Sequence, residues 1–155
     1  MWSKKNAAQN AQTYNQYNNG QPQATDLRPK KRIQWEKIEQ KKAVAWFHLT
    51  YPQYYDLFYH IANEGRRVQA WANELKALGM KKGMLDLHLD VPKKARNGVF
   101  YYGLRIEVKP RKEDTPSALT PAQENTINKM NEQGYFACVC YGDAQIREVI
   151  EWYLG

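Results

Sequence analysis

The stretch GMLDLHLDVPKKARNGVFYYGLRIEVK, Gly83 to Lys109, decides how this chain folds. Side chains alternate between the two faces of a strand, so Leu85, Leu87 and Leu89 share one face, and Leu104, Ile106 and Val108 can meet them from a second strand. That face is a core. The other face then carries Asp86, His88 and Asp90 on one strand and Arg105, Glu107 and Lys109 on the other. A sheet face that is merely solvated has no need of such acidic groups beside such basic ones. Two carboxylates and a lysine converging on one side of a hairpin are what a metal-assisted hydrolase requires.

Upstream, Ile33, Trp35, Ile38, Ala43, Val44, Trp46 and Phe47 recur at intervals of three and four and predict an amphipathic helix over Ile33 to Leu49. It ends near Tyr51-Pro52, since a residue before proline is pushed out of the helical region. Leu57 to Ile61 reads as a short strand. Val68, Trp71, Leu75 and Leu78 predict a second helix over Arg67 to Leu78, stopped by Gly79. Inside the opening stretch, Pro92 to Gly98 reads as a basic loop. Downstream, Pro110 to Leu119 is an irregular loop, and Thr120-Pro121 starts a third helix with threonine at the cap and proline at the first helical position. That helix carries Gln123, Ile127 and Met130 to a stop at Gly134. Tyr135 to Tyr141 is nearly all apolar, as in a strand buried on both faces. Gly142-Asp143 caps a last helix, Ala144 to Leu154, with Ile146, Val149, Ile150 and Tyr153 facing inward. The order of helix, strand, helix, strand, strand, helix, strand, helix gives an α/β chain of the mixed α+β kind, a central mixed β-sheet flanked by helices.

A chain of 155 residues suffices for one domain with a real core. Residues 1–30 are rich in Asn, Gln, Ala and Tyr and read as a disordered, low-complexity tail, which leaves 31–155 as the domain. The tail's basic end, Arg28 to Arg32, is a candidate for phosphate contact. A formal net charge of +7 and a pI near 9.3 point to a polyanionic partner, nucleic acid before an anionic membrane surface. No apolar run is long enough to span a membrane, and Met1 to Gly20 lacks the apolar core of a signal peptide. Cys138 and Cys140 sit two residues apart in one strand, where they read as buried reduced thiols, and no Cys or His spacing suggests zinc. These features predict a cytoplasmic protein.

The chemistry centres on the pattern D…ExK formed by Asp86, Glu107 and Lys109. A magnesium-dependent phosphodiesterase needs hard oxygen ligands, and Asp86 with Glu107 offers two, with the Val108 carbonyl as a third. Glu64, at the head of the second helix, is a possible further ligand. A lysine two residues beyond the glutamate can orient an attacking water or stabilise developing negative charge. Lys81, Lys82, Lys93, Lys94 and Arg96 bracket the hairpin as candidates for DNA phosphate contact, together with Arg66, Arg111 and Lys112.

In combination, Asn63-Glu64-Gly65, Gly83-Met-Leu-Asp86-Leu, Ile106-Glu-Val-Lys109, Leu119-Thr-Pro-Ala-Gln123 and the Gly134-Tyr135 strand with its following helix resemble the VRR-NUC family of PD-(D/E)XK, restriction-endonuclease-like nucleases. The resemblance runs from about Glu36 to Leu154. It implies a restriction-endonuclease-like core and a Mg²⁺- or Mn²⁺-dependent deoxyribonuclease, with Asp86 and Glu107 on the ion, Lys109 completing catalysis, Gln123 as a further active-site residue and Glu64 as the acidic residue of the first catalytic helix. Leu85 stands where the family often has proline, a change that touches strand entry and no chemistry. The stand-alone size resembles phage-type members, which implies a homodimer that resolves Holliday junctions, in the host cytoplasm if phage-encoded. The alternative is a non-catalytic DNA-binding or scaffold protein that keeps the nuclease fold.

The remaining polar residues have plainer readings. His48 and His60 read as packed or surface histidines, and Asp90 as a strand-end surface residue. His88 shares the face of Asp86 and could reach substrate or metal-bound water. The aromatic run Tyr51 to Tyr59 reads as core or dimer packing ahead of base stacking.

Overall fold

The computed structural model describes residues 34–61, 69–111, 113 and 117–155, and its compact unit spans Gln34–Gly155. The tail, Glu64, Arg66 and Lys112 lie outside the described residues. In chain order the elements are α1 (Trp35–Thr50), a 3₁₀ turn (Pro52–Leu57), β1 (Phe58–His60), α2 (Gln69–Ala77), β2 (Leu87–Leu89), β3 (Lys93–Lys94), β4 (Phe100–Tyr101), β5 (Leu104–Lys109), α3 (Pro121–Glu132), β6 (Phe136–Tyr141) and α4 (Gly142–Leu154).

Four strands form the central sheet in the order β1-β2-β5-β6. The pair β2 and β5 is antiparallel, with Leu87 opposite Ile106, His88 opposite Arg105 and Leu89 opposite Leu104. This is the register that lets both leucine sets share one face. β6 runs parallel to β5, as the intervening α3 requires, so the sheet is mixed. Leu85, Leu87, Leu89, Leu104, Ile106 and Val108 are fully buried. Each fully buried aliphatic of this kind contributes about 1.5–3 kcal/mol. From α4, Ile146, Ile150 and Tyr153 form one cluster with all of these but Leu85, as do Ala43 and Phe47 of α1.

Several expectations are corrected. Pro92 to Gly98 is not simply a loop, because β3 and β4 pair as a small hairpin whose turn is held by Ala95 N–H to the Val99 carbonyl (3.0 Å) and Val99 N–H to Asn97 Oδ1 (3.0 Å). β6 is only partly buried, since it is the last strand of the sheet and has a neighbour on one side alone. α3 buries no residue completely. Gly134, at φ 81, ends α3 as expected, with Tyr135 N–H reaching the Met130 carbonyl at 3.1 Å. Asp143 does not cap α4, and its carboxylate instead holds Arg147 at 2.6 Å one turn on.

The cap of α4 comes from α1. The inward line of α1 is Glu39, Ala43 and Phe47, while Ile38 lies one residue, about 100°, off that line and is 38% exposed. Glu39 is wholly buried, accepts the Asp143 N–H at 3.0 Å and pairs with Lys42 at 2.8 Å. Burial pushes its carboxyl up, but the Lys42 ammonium and the Asp143 N–H outweigh burial and hold it at about 2 instead of 4.5. A carboxylate at a helix N-terminus also meets the positive end of the helix dipole. Its stabilisation is present above pH 4.5 and lost as pH falls towards 2. Glu39→Ala is expected to cost about 1–3 kcal/mol and to lower the melting temperature by roughly 5–10 °C, read by thermal denaturation at pH 7.

Candidate active site

Asp86 sits in the bend just before β2, and its position is set from three sides. Its backbone carbonyl accepts the Ile61 N–H at 2.9 Å and lies 2.9 Å from Nδ1 of His60, an exposed histidine at the site's edge. Its carboxylate Oδ2 accepts the Val108 N–H at 2.8 Å. The carboxylate thus completes β5 where the β2 ladder ends, and the Asp86 side chain is pinned to the strand that carries Glu107 and Lys109.

Glu107 is 1% exposed. Its Oε1 accepts from Lys109 Nζ at 2.9 Å and from the Gln123 side-chain amide. Its Oε2 is buried with no partner. Burial, then the Asp86 charge, drive the Glu107 carboxyl up to about 7 from 4.5, against the pull of Lys109. Glu36, in the first turn of α1, adds to the same upward push, so a third carboxylate stands near the pair.

Gln123 reaches the site because α3 begins there. Thr120 and Gln123 form a capping box, in which Gln123 Oε1 accepts the Thr120 N–H at 2.9 Å and Thr120 Oγ1 accepts the Gln123 N–H at 3.3 Å. The same oxygen accepts from Lys109 Nζ at 3.2 Å, which leaves the Gln123 amide nitrogen for Glu107. Gly83 lets this helix start approach: it sits at φ +75, and a Cβ there would lie 2.7 Å from the Ala122 backbone. The glycine that opens the decisive stretch is therefore a packing contact between the Asp86 strand and the Gln123 helix.

Next to this cluster on the same face, His88 is buried, with its Nε2 unpartnered. Burial, then Arg105, hold His88 down at about 4 from 6.5, so it is neutral near pH 7. Asp90 stays at the surface just past the end of β2, its side chain 41% exposed, and there it holds Arg105 at 2.7 Å and accepts from the Tyr59 hydroxyl at 2.7 Å.

The structure brings Asp86, Glu107, Lys109 and Gln123 together. Among the basic candidates, Lys81 and Lys82 are exposed beyond α2, and Lys93 and Lys94 form β3. Arg96 lines a cavity of about 380 Å³ beside Glu148 and Glu151. Arg111 lies 3.9 Å from Glu39 at the start of α4. Glu36 carries no signal of its role beside Glu107 in the sequence, since the Glu107 carboxyl it acts on belongs to another element.

Among the described residues, no group of three or more His, Cys, Asp and Glu side chains is gathered as a metal cage. Two adjacent carboxylates and an unpartnered buried oxygen nevertheless suit a hard divalent ion that keeps several of its waters, as Mg²⁺ does. Cys138 and Cys140 take no part: both are free, with Sγ atoms 4.0 Å apart. No helix among the described residues is long and apolar enough to cross a membrane.

The chain matches no protein-family model and no curated protein. It is similar to a solved structure described as a VRR_NUC domain protein, with 29% identity and a TM-score of 0.63 over 77% of this chain and 87% of that one.

Proposed function

Because this chain has the fold of a VRR-NUC domain, we propose that it is a divalent-metal-dependent DNA endonuclease with Asp86, Glu107 and Lys109 at its centre. The observation that carries the reading is the buried Asp86 and Glu107 pair with Lys109 and Gln123 locked onto one glutamate oxygen while the other has no partner. A nucleic-acid scaffold has no physical need to bury two carboxylates beside the phosphates it attracts.

In this reading Asp86 and Glu107 would hold Mg²⁺ or Mn²⁺, with the Val108 carbonyl as a third oxygen and Glu64 as a candidate further ligand. The chemistry such an ion would supply is Lewis-acid polarisation of the phosphate and activation of water for attack. Glu107 must release its proton before it can bind the ion, and Lys109 then balances the pair's charge. The Lys109 ammonium, kept in place by Gln123 and Glu107, faces the negative charge that builds on the phosphate as water adds and a P–O bond breaks. Arg66, Lys81, Lys82, Lys93, Lys94, Arg96, Arg111 and Lys112 serve phosphate contact and orientation. The working form is a cytoplasmic homodimer acting on branched DNA, since a four-way junction needs two paired cuts and each chain has one such site.

The test is product mapping on four-way-junction, flap and linear DNA of matched sequence with Mg²⁺, alongside sedimentation with the junction. Paired nicks across the junction by a dimer are expected. Binding without a cut on any substrate, under Mg²⁺ or Mn²⁺, would leave only the scaffold.

A further inference from the structure

The face that carries the carboxylate pair continues past Arg105 into a row of aromatic rings. Tyr101 points to the core side, its ring 5.3 Å from Phe136 and 6.3 Å from Tyr153. Its neighbour Phe100 in β4 and Tyr102 in the bend that follows lie open to solvent instead. Tyr102 sits 6.3 Å from the ring of Tyr135, and Tyr135 lies under the Arg105 guanidinium at 4.5 Å. Arg105 shares its face of β5 with Glu107 and Lys109. Phe100 meets Tyr102 edge to face at 5.7 Å, and its cross-strand partner is Lys94.

These rings are fixed and yet open to solvent. Phe100 is 55% and Tyr102 58% exposed. Tyr102 N–H is held by the Gly134 carbonyl at 3.0 Å, and its ring lies so close over Gly134 that a Cβ there would be 2.9 Å away. Arg105 is itself tied to Asp90, so the guanidinium over the Tyr135 ring is held in place. Exposed rings held in place cost little further entropy when something stacks on them.

We propose that Phe100 and Tyr102, with Lys94 beside them, form a ledge on which unpaired bases of a nucleic acid stack, joined to the β5 strand of Glu107 through Tyr135 and Arg105. Charge selects this occupant. The segment 91–103 carries Lys93, Lys94 and Arg96 and no acidic residue, on a chain of net charge +7. A second copy of the chain would, in a two-fold contact, set this basic hairpin against itself. The ledge rests on the nuclease reading only in that the bound strand is the substrate, so it assigns that site a preference for DNA with unpaired nucleotides.

The experiment measures binding in EDTA, where no cleavage takes place, by anisotropy of a labelled single strand of about 15 nucleotides and of a blunt duplex of the same length. The full-length chain is compared with a Phe100→Ala/Tyr102→Ala variant and a Phe100→Trp/Tyr102→Trp variant, each checked for an unchanged melting temperature. The alanine variant should bind the single strand about tenfold or more weakly, the tryptophan variant within about twofold of the parent, and duplex binding should not change. Single-strand affinity unchanged in the alanine variant would overturn the proposal, as would an equal loss on both ligands. So would a parent dimer that becomes monomeric in the alanine variant with single-strand binding intact, which would assign the rings to self-association. Failure of cleavage with Mg²⁺ would count against the nuclease reading alone, because none of these arms needs a cut.

Discussion

Replacing Lys109 by alanine is expected to lower the rate of Mg²⁺-dependent DNA cleavage by about 10²–10³-fold, with DNA affinity largely retained. Lys109 is 6% exposed, and its ammonium contacts Glu107 and Gln123. It is thus held in one place at the edge of the carboxylate pair instead of sampling solvent. On the proposed mechanism its loss removes the group that meets developing charge on the phosphate. It also removes the ammonium that pulls the Glu107 carboxyl down, so Glu107 keeps its proton to higher pH and a metal ion would be bound less well. Both effects act in the same direction. The check is a single-turnover cleavage rate at saturating Mg²⁺, where equal rates for parent and variant would remove Lys109 from the mechanism.

The second large effect is a reversal in how the protein's stability responds to pH. Glu107 has a folded value of about 7 against an ordinary 4.5. Its contribution is fully present below pH 4.5 and lost as pH rises through about 7, because the charged form is then forced beside Asp86. Integrated over that window, the loss is about 3 kcal/mol. His88 works the other way over an overlapping range: held at about 4 against 6.5, it stabilises above 6.5 and loses that contribution as pH falls. The two partly offset in the parent, so the difference between parent and Glu107→Gln isolates the glutamate. The metal-free variant is expected to melt near the parent at pH 5 and several degrees above it at pH 8. Added Mg²⁺ should raise the parent's melting temperature increasingly from pH 6 to pH 8, with release of a proton, and should leave the variant unmoved. A melting difference independent of pH would contradict the assignment.

Much of this was readable in the chain because the residues that decide it obey a short period. The leucines of β2 and the Leu104, Ile106, Val108 set of β5 alternate with charged residues over enough positions that only one register buries the one set and gathers the other. Thr120-Pro121 and Gly134 announce the ends of α3 through local backbone chemistry alone. The hairpin of β3 and β4 was not readable, because strands of two residues are too short to show alternation and Lys93-Lys94 has no apolar face to display. Glu39 escaped for a different reason. A glutamate among lysines on a helix reads as solvated, and only the arrival of α4, 104 residues later in the chain, provides the N–H that makes burying it favourable. The same holds for Glu36 beside Glu107 and for Asp90 with Arg105: in each, the partner comes from another element. Periodicity reveals faces, whereas ion pairs across elements become visible only once those faces are docked.

The most direct test of the central claim, that Asp86 and Glu107 form a hydrolytic metal centre, is nicking of supercoiled plasmid by the purified protein as Mg²⁺ is titrated in, with Asp86→Asn beside it. Nicking that rises with Mg²⁺ in the parent, vanishes in EDTA and is absent from Asp86→Asn is the predicted result. Equal nicking by the variant, or none by the parent at any concentration of Mg²⁺ or Mn²⁺, would contradict it.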